Sequence, residues 1–211
     1  MEPLDLWMEE RSLWQAGCET VCGADEAGAG PLAGPVYAAA VILPRELCIP
    51  GLNDSKQLTA KKRDALYDEI TGQALAYAVV AVSAAEIDEI DILNARIKAM
   101  DEAIARLFLR PDMALIDGNR DHGKTYSITC PHRLLVKGDG RSANIAAASV
   151  LAKVSRDRYM EGLAERYPAY GFEKHKGYGT KAHYQALDAC GPCPEHRKTF
   201  LKKWEARRHE P

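Results

Sequence analysis

Asp25 and Glu26 stand side by side, directly ahead of a turn that holds Gly28, Gly30 and Gly34. Two further acids, Asp117 in ALIDGN and Asp139 in KGDGR, follow short apolar runs and sit against glycines. Four carboxylates gathered in one place repel one another unless cations neutralise them. Hard oxygen ligands with open water positions suit Mg2+ or Mn2+, and no His or Cys cluster competes for a softer metal. Two such ions, roughly 3.5 to 4 Å apart in two-metal sites, activate water and stabilise the leaving oxygen of a phosphodiester. The pattern therefore points to metal-assisted hydrolysis.

That chemistry requires elements that bring the four acids to one edge. Residues 19–24 and 36–43 read as two buried strands, with the first acid pair where the first strand ends. Neighbouring side chains of a strand point to opposite faces, so Asp25 and Glu26 share a site only if the chain bends there. The glycines supply the bend, and they leave backbone N–H and C=O groups open to close approach by a ligand. Thr59 is a suitable N-cap for a helix to about residue 70, and residues 74–83 read as a third strand, completing an antiparallel meander. From 84 to 109, Ile90, Leu93, Ile97, Met100, Ile104 and Leu107 recur at steps of three and four, which predicts one amphipathic helix stopped by Pro111. Strands over 113–116 and 128–136 deliver Asp117 and the loop with Asp139, and Ser142 caps a helix through Arg158. The expected fold is α/β, a mixed sheet with helices against it. Asp157 lies too far along that last helix to join the acids, since the intervening helix spans about 27 Å. It is expected to be an ion-pair partner.

The 211 residues suit one domain with a real core, at 46% hydrophobic and 27% charged residues. No stretch has the make-up of a signal peptide or a membrane span, and the cytoplasm is the expected location. The six cysteines are expected to be free thiols, because a chain of this size needs no staples. Cys190 and Cys193 spell C-x-x-C, but no second pair supports zinc. Net charge is -2. It is uneven: residues 1–30 hold seven acidic side chains against one basic, and residues 170–211 hold nine basic against five acidic. An acidic beginning suits cations and a basic end suits a polyanion.

The segments GADEAGAGPLAGPV, NDSKQL, ALIDGN, KGDGRSANIAAASVLAKVSRD, YGFEKHKGYGT and GPCPEHRKTF resemble, in order and spacing, the signature segments of bacterial ribonuclease HII. The resemblance runs from about residue 20 to residue 200. It implies a ribonuclease H-like, mixed five-stranded sheet flanked by helices, with a C-terminal helical segment. Residues 1–165 would form the catalytic core, and 166–211 a basic substrate-binding loop and helices packed on it. The implied activity is endonucleolytic cutting of RNA in RNA/DNA hybrids and at single ribonucleotides embedded in duplex DNA. The cut falls 5' to the ribonucleotide and leaves 3'-hydroxyl and 5'-phosphate ends. The family's metal site maps onto Asp25, Glu26, Asp117 and Asp139, the four acids reached above from chemistry.

One position departs from the family pattern. Its substrate-sensing turn is usually Gly-Arg-Gly, whereas this chain has Gly28, Ala29 and Gly30. Backbone groups still read a 2'-hydroxyl, but the lost guanidinium should weaken substrate positioning by about 1.5 to 3 kcal/mol. Tyr178 in KGYGT resembles the family tyrosine that stacks on the sugar beside the junction. Lys174, Lys176 and Lys181 would line a phosphate path, and Lys56 in NDSKQL a substrate-facing loop. Ser149 and Lys153, on the helix after Asp139, would either approach the metal site or satisfy packing against the sheet, packing being the expectation, and His175 and His183 are expected in surface or capping roles. The rival reading is a module that binds ribonucleotide-containing duplexes without cutting, against which the four intact acids argue. A monomer is expected, and no clamp-binding motif is evident in the tail.

Overall fold

A computed structural model describes residues 5–52 and 59–208. Its centre is a five-stranded sheet in the order β3-β2-β1-β4-β5. The strands are β1 (Val21–Ala27), β2 (Val36–Ile42), β3 (Ala76–Val82), β4 (Met113–Asp117) and β5 (His132–Leu135). The first three form the antiparallel meander read from the sequence. β4 then joins β1 on its other side in parallel, and β5 joins β4 in parallel. Ala24 of β1 pairs with Ile116 of β4. The next residues along the two strands are Asp25 and Asp117, so the parallel register brings these acids to the same end of adjacent strands.

Helices cover both faces, and the alternation of β2 shows why. Ala38 and Ala40 pack with α4 (Ile92–Ala105), whereas Ala39 and Val41 pack with α5 (Ala143–Arg166) and with α2 (Ala60–Gln73). Thr59 and Ser142 cap α2 and α5 as expected. α1 (Met8–Gln15) lies on the α5 side. There the buried Glu10 accepts hydrogen bonds from the Ser142 hydroxyl and from the backbone and side-chain amides of Asn144. The C-terminal helices α6 (Phe172–His175), α7 (Lys181–Cys190) and α8 (Lys198–Arg208) build a separate cluster in which Phe172, Leu187 and Leu201 meet Met160 and Leu163 of α5. Among the described residues no helix is long and apolar enough to cross a membrane.

Two expectations need correction. The stripe over 84–109 belongs to two helices, α3 (Ala84–Ile90) and α4, broken at Asp91 with φ 66°. The Asp91 carboxylate caps α4 at the Asn94 amide. The strand expected over 128–136 is confined to β5. Pro131 has no N–H to give a ladder, and pairing begins at His132 opposite Ala114.

Gly23 sets the approach of α5 to β1. A Cβ there would overlap the backbone of Asn144 and Ile145, which has no flexible end to swing away. Gly23→Ala should cost about 3 kcal/mol, the upper part of the range for overpacking a core. Urea denaturation measures it. A loss below about 1 kcal/mol would mean that the helix can retreat without cost.

Candidate active site

At the carboxyl ends of β1 and β4 lies a cleft of about 390 Å³. Asp25, Glu26 and Asp117 line it, together with Gly28, Ala29, Gly30 and Tyr178. Both acids of the adjacent pair thus reach one cleft although they belong to β1. Asp25 folds back on its own strand, where the Glu26 amide donates to its Oδ1 at 2.7 Å. Asp117 Oδ1 accepts the Gly138 amide at 2.6 Å, which ties β4 to the short 3-10 turn (Gly138–Gly140) that carries Asp139. Asp139 is half-buried beside this contact and is not among the residues lining the cleft.

The electrostatics are those of a site awaiting positive charge. Burial holds the Asp25 carboxyl well above its ordinary range, and the charges of Glu26 and Asp117 push it further. The Ser149 hydroxyl offsets part of this by hydrogen-bonding to Asp25. Glu26 is raised too, by burial first, while Arg96 beside it pulls the other way. Glu26 Oε2 is buried without a hydrogen-bond partner. An orphaned carboxylate oxygen in one cleft with two further acids is a donor set that fits a divalent cation. No group of three or more acid, His or Cys side chains among the described residues is drawn together as tightly as a bound ion would hold them.

Ser149 and Lys153 also line the cleft, which corrects the expectation that they serve packing alone. With Arg156 they follow steps of four and three along α5, so one stripe of that helix lines the cleft beside the acids. That spacing was legible in the sequence. Asp157 is the ion-pair partner of Lys153, as expected.

Besides Arg63 in the cleft lining and Arg96 at Glu26, two buried arginines were missed. Arg156 is buried, and its guanidinium donates to the carbonyls of Pro35 and Ala33. A Cβ on Gly28, whose φ is 95°, would collide with it. Arg197 is fully buried and donates to the carbonyls of Gly28, Ala29 and Gly34. Their partners are backbone atoms of a distant loop, which leave no trace in residue spacing.

The expected phosphate path is divided. Lys176 is held by Glu161 at 2.7 Å, and Lys181 faces a separate groove with Tyr184 and Asp188. Lys174 is exposed. Lys56 lies outside the described residues. His183 is neither on the surface nor a cap: it is fully buried, stacked on the half-buried His175. All six cysteines are free.

Residues 22–206 match the family model described as ribonuclease HII. The chain belongs to the ribonuclease HII family. It is 51% identical over 193 residues to ribonuclease HII of Caldicellulosiruptor saccharolyticus, covering 92% of each chain. The ribonuclease H2 crystal structure from Pyrococcus horikoshii superposes with a TM-score of 0.76 at 26% identity, over 90% of this chain and 100% of that one. The PCNA:RNase HII complex from Archaeoglobus fulgidus gives a TM-score of 0.69 at 25% identity, over 90% and 97%. Membership makes the protein a divalent-metal-dependent ribonuclease H, an endoribonuclease acting on RNA/DNA hybrids.

Proposed function

We propose that this cleft hydrolyses the phosphodiester 5' to a ribonucleotide, in RNA/DNA hybrids and at single ribonucleotides within duplex DNA. The products are 3'-hydroxyl and 5'-phosphate ends. The observation that carries this reading is the single cleft shared by Asp25, Glu26 and Asp117, the glycine turn at 28–30 and the ring of Tyr178.

In this reading Asp25, Glu26, Asp117 and Asp139 hold Mg2+ or Mn2+. When bound, such ions neutralise the phosphate, lower the pKa of a water and stabilise the leaving oxygen. The other residues position and discriminate. Gly28 and Gly30 let backbone N–H and C=O groups approach the 2'-hydroxyl, the group by which a protein tells RNA from DNA. Tyr178 is 47% exposed, and its free ring face is available to stack on the sugar beyond the junction. Ser149 orients Asp25 through its hydroxyl; Lys153, paired with Asp157, and the buried Arg156 lend positive charge to the cleft wall without being free for a direct phosphate contact. Lys181 lies outside the cleft and would meet flanking backbone only.

The test is a labelled DNA duplex carrying one ribonucleotide, incubated with Mg2+ and then Mn2+ beside an all-DNA control. A nick 5' to the ribonucleotide that disappears in Asp117→Asn is the expected result. Binding without a nick in either metal would favour the non-cutting module. Cutting of the all-DNA duplex would make the protein a nuclease of different specificity.

A further inference from the structure

The closing segment at 193–200 carries out no chemistry in the reading above, yet it places two buried polar side chains, His196 and Arg197, side by side. Each reaches one of the two elements assigned to the substrate.

The Arg197 guanidinium donates to the Gly28 carbonyl at 2.7 Å and to those of Ala29 and Gly34 at 3.0 Å each. It ion-pairs with no carboxylate among the described residues. Burial and the nearby Arg156 pull its pKa down to about 9. A guanidinium kept in so unfavourable a place is held by the geometry of its fork, which matches three carbonyls of one loop.

His196 works in the other direction. Its Nδ1 accepts the Cys193 amide at 2.9 Å, so the proton sits on Nε2 and points to Nε2 of His183 at 3.0 Å. His183 accepts it there, and its own Nδ1–H donates to the carbonyl of Tyr178 at 3.0 Å. Every donor meets one acceptor only while both imidazoles are neutral, and burial favours that form in each. Backbone bonds lock the two arms together. The Leu32 amide donates to Gly177, the Gly34 amide to Glu195, and the Arg197 amide to Leu32.

We propose that His196 and Arg197 are positioning residues that fix the spacing between the turn at 28–30 and Tyr178: Arg197 holds the turn that both kinds of duplex need, and His196, through His183, sets the preference for a ribonucleotide followed by deoxyribonucleotide over continuous RNA. The inference rests on the reading of that turn and Tyr178 as substrate contacts.

The experiment measures kcat and KM on two duplexes of equal length, one with a single ribonucleotide and one an RNA/DNA hybrid. His183→Gln puts an amide near the place of Nε2, keeping the contact with His196 and losing the donor to Tyr178. His183→Asn puts its amide near Nδ1 and keeps that donor. The single-ribonucleotide to hybrid ratio of kcat/KM should fall about fivefold or more in His183→Gln, toward the value of Tyr178→Ala, and be largely restored in His183→Asn. Arg197→Lys carries its three N–H donors on one atom and cannot span carbonyls that Nε, Nη1 and Nη2 meet separately, so kcat should fall about tenfold on both duplexes with a smaller change in KM.

Equal losses of the ratio in the Gln and Asn variants would mean that His183 only fills space, and would overturn the proposal. So would a ratio that Tyr178→Ala lowers and His183→Gln leaves alone. A ratio unmoved by Tyr178→Ala would overturn the reading of Tyr178 itself, and this inference with it. Melting temperatures of all four variants separate a misplaced contact from an unfolded chain.

Discussion

Asp25→Asn should abolish cleavage while making the metal-free protein more stable. The amide is nearly the same shape as the carboxylate. It can accept the Glu26 amide and donate to the Ser149 hydroxyl, so both hydrogen bonds of Asp25 survive. The charge does not survive, and with it goes a hard anionic ligand; a loss of roughly a thousandfold or more, about 4 kcal/mol of barrier, is expected. Stability moves the other way because the wild-type carboxyl titrates upward on folding. Below the unfolded value near 3.8 both states are protonated and burial carries no charge penalty. As pH rises through that value and then through the raised native one, the native state holds its proton longer than the unfolded chain, so stability falls. Above the native value the penalty is complete. Glu26, also raised, adds the same sign. In chelator at pH 8 the Asn variant should therefore exceed the wild type by about 1 to 3 kcal/mol in urea denaturation, and the difference should close toward pH 4. Adding Mg2+ should stabilise the wild type more than the variant. A variant that still cuts at near wild-type rate, or a stability gain unchanged between pH 4 and pH 8, would remove Asp25 from the metal site.

The same residues show what the sequence could reveal. The meander and β4 were legible because their Val, Ile and Ala runs stop at residues that break a strand: acid and glycine after β1 and β4, Pro44 just beyond β2 and the helix-capping Ser83 after β3; the order of elements was then enough to place Asp25 and Asp117 at one edge. The break at Asp91 was hidden because the residues on either side keep the apolar rhythm: Ile90, Ile92 and Leu93 all pack against one core, and neither glycine nor proline marks the interruption. The roles of Ser149 and Lys153 turned on which stripe of α5 faced the cleft, a question of tertiary packing. Arg96, Arg156 and Arg197 belong to a further class. Their partners lie far away in sequence, so only the folded chain discloses them.

Ala29→Arg should accelerate cleavage at a single ribonucleotide. The backbone of the turn does not depend on this side chain: Arg197 holds the carbonyls of Gly28 and Ala29 whatever stands at 29. Of the three turn positions, Gly28 has no room for a side chain, whereas Ala29 is half-buried and lines the cleft with its Cβ already in place. A guanidinium there adds a two-pronged phosphate contact worth about 1.5 to 3 kcal/mol, which corresponds to about 10- to 150-fold in kcat/KM. Arg63, Lys153 and Arg156 line the same cleft, and their repulsion places the expected gain near the lower end, about 10- to 30-fold. Ala29→Lys supplies the charge without the fork and should gain less; Ala29→Met supplies only length and should gain nothing. Because the contact is to phosphate, the advantage should shrink as salt is raised. Kinetics on the single-ribonucleotide duplex at two salt concentrations test all three. An arginine variant no faster than the parent would show that the cations already in the cleft meet the phosphate, and that this turn needs its glycines and not a guanidinium.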